Sequence, residues 1–278
     1  MRHRPLVLAL TAAAVLLIAA LLVDSPDDSL MRLQEAGSIR IGYAVEAPFA
    51  FVTARGVVTG EAPETARLIA ARLGIGGVTW RQAAFELLIG ELRAGTIDVI
   101  AAGMFITPER AGQIRFSRPT VQATSGLLVP AGNPRMIRTY RDLLAAADLR
   151  VAVLHGSVEE AALLDAGFVP GRLVRVLDVA TGRAALDSGE ADTLALSAPT
   201  LRWMLRERPD DRFELVELPE NPGHARSGWA AFGFRPEDRA LADAWDRELA
   251  TWLGSSEHRA ILSRFGFSAT ELPEHSAP

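Results

Sequence analysis

Short apolar runs and helical patterns alternate along most of this 278-residue chain. Residues 38–43 form an apolar run of strand length, and residues 61–73 follow with helical spacing. In that second segment Ala62, Ala66 and Ile69 recur every three or four positions, so they fall on one face of a helix. Chains that alternate strands with helices in this way place helices against mostly parallel sheets. The pattern therefore predicts an α/β fold with largely parallel sheets.

Two long extended apolar segments divide the chain. Residues 121–129 run into a break that contains Pro and Gly, and residues 228–234 follow a second break of the same kind. Each segment is long enough to leave one sheet and enter another, which predicts two lobes joined through a hinge. We expect lobe 1 to comprise residues 38–125 and 232–272, and lobe 2 to comprise residues 126–231.

The charge balance and the missing residue types exclude several functions. The chain has 29 basic residues, all of them arginine, against 34 acidic ones, and its formal net charge is -5. A surface with this balance does not neutralise phosphates, so we expect no nucleic-acid partner. Cysteine is absent, the five histidines lack metal-ligand spacing, and no nucleophile or phosphate-loop motif occurs. We therefore predict no metal site, no cofactor, and no hydrolase or kinase activity.

The amino terminus has the pattern of an export segment. Arg2 and Arg4 precede an apolar run at residues 6–23. A positively charged start followed by an apolar run of this length is typical of a secretory signal peptide or a membrane anchor. We expect residues 1–27 to be such a signal peptide or anchor with its linker, and the rest of the chain to be exported.

The segment at residues 98–110 joins a buried strand to a helix start. Thr107 is a typical helix N-cap and Pro108 a typical first-turn residue, which places Arg110 in the first helical turn. A cation in that position opposes the helix dipole unless an anion joins it. A ligand carboxylate would accept hydrogen bonds from the guanidinium and from the free amides of the turn. The alternative is a surface ion pair with Glu109.

A second candidate cluster follows the first strand. Glu46 and Phe49 lie where the predicted strand at residues 38–43 ends, and ligands of open α/β sheets bind at such strand ends. Glu46 can meet a ligand cation, and Phe49 can offer an aromatic face to it. The alternative is that Phe49 belongs to the core and Glu46 to a solvated loop. Phe85 and Phe105 also enter loops at strand-to-helix junctions, which makes three aromatic side chains candidates for one site.

Three motifs occur in a fixed order along the chain. They are a strand that begins with Asp98, a Thr followed three positions later by Arg110, and an F-S-x-P segment at residues 116–119. This combination resembles the amino-acid-type periplasmic solute-binding proteins of ABC importers, family 3, over about residues 38–267. The ectoine- and hydroxyectoine-binding branch of that family is similar in three further stretches, residues 60–64, 101–110 and 234–238.

The resemblance implies a type II periplasmic binding protein fold, with two hinge strands and the ligand held in the cleft between the lobes. By that resemblance, Arg110 binds the ligand carboxylate, and Glu46 lies beside an aromatic cage around a cationic ring. The cage would be formed by Phe49, Phe85 and Phe105.

The second lobe is expected to close on the ligand. By the same resemblance, Gly156 and Ser157 belong to a turn that closes on the carboxylate. Ser197 stands where α-amino-acid binders usually place an Asp, which disfavours an ordinary α-amino acid. The expected ligand-binding residues are Glu46, Phe49, Phe85, Gly103, Phe105, Arg110, Gly156, Ser157 and Ser197.

The implied function is that of a substrate-binding protein in the periplasm, free or tethered to the inner membrane through residues 6–23, and not that of an enzyme. It would act as a monomer and deliver a small zwitterionic compatible solute, ectoine or hydroxyectoine, to the membrane subunits of an ABC permease. The first alternative is an amino-acid-binding protein of the same family. A second is a dehydratase of the cyclohexadienyl or arogenate type on the same fold, with Glu46 as its general acid or base. A third is the sensor domain of a membrane-tethered signalling protein.

Overall fold

The structure is a computed structural model that describes residues 27–218 and 228–273. Residues 1–26 of the predicted export segment lie outside the described residues, as does the second break of the chain. Within the described ranges no helix is both long and apolar enough to cross a membrane. Two β-sheets with helices packed against them form two lobes, which confirms the predicted α/β fold.

The first sheet belongs to lobe 1. The strands of this lobe are β1 (Ser38–Tyr43), β2 (Phe51–Val52), β3 (Val58–Thr59), β4 (Gly77–Gln82), β5 (Val99–Phe105), β6 (Arg115–Phe116), β7 (Val121–Ala123) and β13 (Gly228–Phe234). The order in the sheet is β4-β1-β5-β13-β6, and β7 pairs with β13. β1 runs parallel to β4 and β5, whereas β13 runs antiparallel to β5, β6 and β7. β2 and β3 form a separate antiparallel hairpin.

The second sheet belongs to lobe 2. Its strands are β8 (Ser125–Pro130), β9 (Val151–Leu154), β10 (Leu173–Val176), β11 (Thr193–Ser197) and β12 (Phe213–Leu218). They follow the order β10-β9-β11-β8-β12. The first three are parallel, and β8 is antiparallel to both of its neighbours. β7 and β8 thus form the first long apolar segment, which runs into the first break, and β13 is the second, which follows the second break.

Helices pack against both sheets and bring their starts to the strand ends. In chain order they are α1 (Ser29–Ala36), α2 (Glu61–Arg72), α3 (Leu88–Arg93), α4 (Pro108–Ala111), α5 (Tyr140–Ala145), α6 (Val158–Asp165), α7 (Val179–Asp187), α8 (Ala198–Glu207), α9 (Arg239–Trp252) and α10 (Ser256–Arg264). Short 3-10 turns occupy Phe85–Leu87, Pro170–Arg172 and Ala269–Glu271.

The chain passes from lobe 1 to lobe 2 at Thr124. β7, which ends at Ala123, pairs within the first sheet, and β8, which begins at Ser125, pairs within the second. β12 ends at Leu218 in the second sheet, and the next described strand, β13, begins at Gly228 in the first sheet. The expected boundary assigned residues 228–231 to lobe 2, but β13 pairs with strands of the first sheet from Gly228 onward. Composition does not reveal which sheet an apolar strand joins, because its partners are distant in sequence.

Asp98 fixes the start of β5, the strand that leads to the candidate site. Its carboxylate accepts hydrogen bonds from the Arg40 amide at 3.0 Å, the Arg40 guanidinium at 2.6 Å and the Arg235 guanidinium at 3.1 Å. Burial by itself raises the pKa of Asp98, but these bonds outweigh it and hold the pKa below its ordinary value. The network ties β1, β5 and the end of β13 together.

Each lobe has its own apolar core, and further clusters lie where the lobes meet. In lobe 1 the fully buried Trp245 of α9 packs edge to face against Phe232 and Phe234 of β13. Lobe 2 buries its own cluster around Phe168. One further cluster, around Phe49, contains residues of both lobes and lies directly behind the candidate site.

Candidate ligand-binding site

A small cavity lies between the two lobes. Lobe 1 contributes the loop after β1, the turn at Phe85, the end of β5 and the start of α4, whereas lobe 2 contributes the starts of α6 and α8. The lining residues are Glu46, Phe85, Gly103, Phe105, Arg110, Ser157, Val158, Glu159 and Ser197. The cavity holds about 260 Å³ of space free of protein atoms, counting its mouth.

Arg110 lies buried in the first turn of α4, as predicted. The Thr107 hydroxyl caps this helix by accepting a hydrogen bond from the Arg110 amide at 3.2 Å. The guanidinium donates to the carbonyl oxygens of Phe105 at 2.7 Å and Gly156 at 2.8 Å, one from each lobe. Among the described residues no ion pair within 4.0 Å involves Arg110, so the alternative pairing with Glu109 is not formed. Burial lowers the pKa of Arg110 to about 10.

Glu46 is buried in the cavity wall, and its carboxyl group accepts hydrogen bonds from the other lobe. Its Oε1 accepts from the Thr200 hydroxyl at 2.9 Å and from the Ser197 hydroxyl at 3.4 Å. Burial raises the pKa of Glu46 to about 7, the carboxyl group of Glu159 adds to that rise, and Arg110 opposes it. At neutral pH this carboxyl group is therefore close to its midpoint of titration.

Glu159 is a second buried carboxyl group of the cavity, which the sequence analysis missed. It is the second residue of α6 and is 3% exposed. Its Oε1 accepts a hydrogen bond from the Ser125 hydroxyl at 2.7 Å. Burial raises its pKa, and Arg110 opposes the rise. A signal was present, because a helix that starts after a cleft turn at Ser157 directs its first side chains toward the same cleft.

Two of the three predicted cage rings line the cavity. The Arg110 guanidinium lies 5.3 Å from the centroid of the Phe85 ring, and Phe105 ends β5 at the cavity wall. Phe49 is not among the lining residues; its ring is 1% exposed and packs edge to face against Phe105. It lies behind Gly103, which has a φ of +63° and whose Cβ, if present, would approach the Phe49 ring to 2.4 Å. Phe49 therefore supports the wall from behind.

The turn at Gly156 brings lobe 2 directly against lobe 1. Its φ is +76°, and an added Cβ would lie 2.9 Å from the Cβ of Glu86 in lobe 1. Ser157 and Ser197 are the N-caps of α6 and α8. Both helices thus begin at the cavity and direct the positive ends of their dipoles toward it.

The predicted site residues lie together at the interlobe cavity, but two of them do not line it. Phe49 supports the cavity without lining it, and Gly156 contributes a carbonyl oxygen that orients Arg110. Thr200, like Glu159, was missed, because its position in a helix gave no sign that its hydroxyl reaches Glu46 across the cleft. The predicted residues that line the cavity are Glu46, Phe85, Gly103, Phe105, Arg110, Ser157 and Ser197.

The arrangement is suited to a ligand that carries both charges. A guanidinium without a carboxylate partner can bind a ligand carboxylate through two parallel hydrogen bonds. Two carboxyl groups and two aromatic rings can bind a cationic group. In the parts of the chain that the structure describes, no cluster of His, Asp or Glu side chains could hold a metal ion.

Residues 39–268 match the bacterial extracellular solute-binding proteins, family 3. The chain belongs to this family. It is therefore an extracytoplasmic solute-binding protein of an ABC importer of the amino-acid type, as the motifs predicted. A relative from Sinorhizobium fredii (strain NBRC 101917 / NGR234), named probable amino-acid ABC transporter periplasmic-binding protein y4tE, is 29% identical over 255 residues. That match covers 90% of this family-3 chain and 82% of the relative.

Two solved structures of similar proteins differ in their ligands. EhuB in complex with hydroxyectoine is 33% identical, has a TM-score of 0.81, and is matched over 88% of this chain and 94% of its own. Holo ArgBP from T. maritima is 27% identical, has a TM-score of 0.71, and is matched over 85% of this chain and 99% of its own. ArgBP has also been solved in an arginine-bound form. The family-3 fold is thus confirmed.

Proposed function

We propose that this protein binds a small zwitterionic compatible solute, ectoine or hydroxyectoine, and that it serves transport without catalysing a reaction. The observation that carries the proposal is a guanidinium, a buried carboxyl group and two aromatic rings that face one interlobe cavity. In this role the exported protein works as a monomer and delivers the solute to the membrane subunits of its permease.

The carboxylate of the solute would bind to Arg110. The two terminal nitrogens of the Arg110 guanidinium donate hydrogen bonds to the backbone carbonyl oxygens of Phe105 and Gly156. These bonds fix the plane of the guanidinium. Because one of these carbonyls belongs to each lobe, Arg110 has this orientation only when the lobes are closed. Closure and capture of the carboxylate would therefore be coupled.

The cyclic amidinium of the solute would lie against Phe85 and Phe105, beside Glu46. Each aromatic face contributes about 0.5–2 kcal/mol toward a desolvated cation. A micromolar complex needs about 8 kcal/mol in total. Two such faces supply about 1–4 kcal/mol, so the charge pairs with Arg110 and Glu46 have to supply the rest.

The likeness to EhuB supports this class of solute. EhuB was solved with hydroxyectoine, and its identity and TM-score with this chain are above those of ArgBP. Ser197, at the position where α-amino-acid binders were expected to carry an Asp, offers a hydroxyl and no charge to an ammonium group. Both observations favour a cyclic zwitterion over an ordinary α-amino acid.

A cationic amino acid such as arginine is the second candidate, and Glu159 favours it. A ligand with two positive groups and one negative group would balance Arg110 and two ionised carboxyl groups. A dehydratase is a third reading, because the pKa of Glu46, about 7, suits a general acid or base.

Calorimetric titration of the purified protein with hydroxyectoine, ectoine, arginine, glutamate and prephenate tests these readings together. We expect tight binding of the two ectoines and at least tenfold weaker binding of the others, about 1.4 kcal/mol. Tight binding of arginine alone would keep the transport role and overturn the solute class. Consumption of prephenate would overturn the assignment as a binding protein.

A further inference from the structure

Three chargeable side chains share the interlobe cavity. Arg110 and Glu46 are each 8% exposed, and Glu159 is 3% exposed. If both carboxyl groups are ionised, the three carry one excess negative charge; if one of them holds a proton, they are balanced. An excess charge in a buried site costs several kcal/mol, so the balance decides which ligands fit.

A solute without net charge leaves one carboxyl group without a partner. Its carboxylate pairs with Arg110, and its cationic group pairs with Glu46. Glu159 then has only neutral side-chain donors among the described residues, the hydroxyls of Ser125 at 2.7 Å and of Ser157. Across the described ranges, Glu159 takes part in no ion pair within 4.0 Å.

We propose that Glu159 is a specificity-determining residue that keeps a proton while a solute without net charge is bound. The inference rests on the proposed function, since only such a solute leaves Glu159 as the surplus carboxyl group. A ligand with a second positive group would instead require Glu159 to be ionised. The protonation of one side chain would thus separate compatible solutes from cationic amino acids.

The groups packed around Glu159 are consistent with this charge balance. Glu46 faces it from the loop after β1, Arg110 from α4, Tyr140 from α5, and the Ser125 hydroxyl from the start of β8. Arg110 is the single cation among them, and it is the group that the solute carboxylate neutralises. Burial raises the pKa of Glu159, and burial together with Glu159 raises that of Glu46 to about 7. Both shifts favour a proton on the pair, so without solute the pair holds a proton that it loses as the pH rises.

The test is the pH dependence of hydroxyectoine affinity in wild type and Glu159→Gln, measured by calorimetry from about pH 6 to about pH 8.5. Glutamine still accepts the hydrogen bond from Ser125 but never ionises. In the wild type, the free site loses a proton over this range and the bound site keeps it, so the affinity falls roughly tenfold between about pH 7 and about pH 8.5. In Glu159→Gln we expect the affinity to change by less than about twofold.

Glu109→Gln is the matched control. Glu109 is exposed, also acts on the Arg110 charge, and does not line the cavity, so this variant should keep the wild-type pH profile. A second measurement needs no variant: titrations near pH 8 in two buffers of different ionisation enthalpy should show uptake of close to one proton per solute.

The outcomes separate the inference from the proposed function. A flat wild-type profile, no proton uptake, or an unchanged pH dependence in Glu159→Gln overturns the inference alone. If the wild type binds no hydroxyectoine at any pH, the proposed function fails and the inference fails with it. If Glu159→Gln does not fold, the proton count of the wild type decides.

Discussion

Replacing Arg110 with alanine should weaken ligand binding by at least about 30-fold and leave the fold intact. The side chain makes its two hydrogen bonds to carbonyl oxygens at the cavity, where water can replace the lost donor. Burial lowers the pKa of Arg110 to about 10, which means that the folded protein disfavours this cation. Alanine also relieves an unfavourable charge at a helix start. We therefore expect the free energy of unfolding to change by no more than about 1–2 kcal/mol.

The expected loss in binding is much larger. Removing one member of a buried, hydrogen-bonded charge pair costs about 2–5 kcal/mol, because the partner is left without compensation. At about 1.4 kcal/mol for each factor of ten, the Kd for hydroxyectoine should rise roughly 30-fold to 4,000-fold. The upper part of this range lies beyond detection for a ligand that starts at micromolar affinity.

The assay combines calorimetric titration with urea unfolding of the same preparations. Arg118→Ala is the matched control, because Arg118 donates to Asp246 at 3.0 Å on lobe 1 and does not line the cavity. We expect this control to bind hydroxyectoine like the wild type. A Kd for Arg110→Ala within about twofold of the wild type, in a protein that unfolds cooperatively, would refute the role of Arg110 as a carboxylate ligand.

Three further predictions concern folding. Gly103→Ala forces an L-residue into a φ of +63° and a Cβ to 2.4 Å from the Phe49 ring, so urea unfolding should show a loss of about 2–4 kcal/mol; an unchanged midpoint contradicts this. Asp98→Asn leaves Arg235 without its full charge pairing and should cost about 3–5 kcal/mol at neutral pH. Folding lowers the pKa of Asp98, so this stabilisation is present above about pH 3.9, the pKa of an unfolded Asp, and is lost as the pH falls through the lower pKa of the folded state. The stabilities of the wild type and the variant should therefore converge in acid melts. Burial raises the pKa of Glu61 to about 7. The contribution of protonated Glu61 to the free energy of unfolding is therefore fully present below about pH 4.3, the pKa of an unfolded Glu, and is lost as the pH rises through about 7. Between about pH 5 and about pH 8 the wild type should lose on the order of 3 kcal/mol of unfolding free energy that Glu61→Gln does not lose. An equal pH dependence of stability in the two proteins would contradict this prediction.

Local patterns in the sequence predicted much of the lobe 1 site. The N-cap Thr107 and the first-turn residue Pro108 placed Arg110 at a helix start, and the structure confirms that geometry. Glu46 was a candidate because it follows the first strand, and Phe105 because it enters a loop at a strand-to-helix junction; both line the cavity. The helix start was predictable because a cap depends on interactions between residues a few positions apart.

The remaining features depend on contacts between residues far apart in the chain. Phe49 carries the same pattern as the other two aromatic residues, yet it packs behind Gly103 because the backbone there leaves room for a ring.

Thr200 reaches Glu46, and Glu159 shares the cavity with Arg110, only because lobe 2 closes on lobe 1. The sequence by itself thus determined the alternation of elements and the helix starts, including the one that carries Arg110. The tertiary structure decided which sheet β13 joins, which aromatic rings line the cavity, and that two carboxyl groups share this cavity with one guanidinium. The physical reason is that periodicity and capping act within a few residues, whereas burial and electrostatic coupling in a cleft act between residues that only the folded chain brings together.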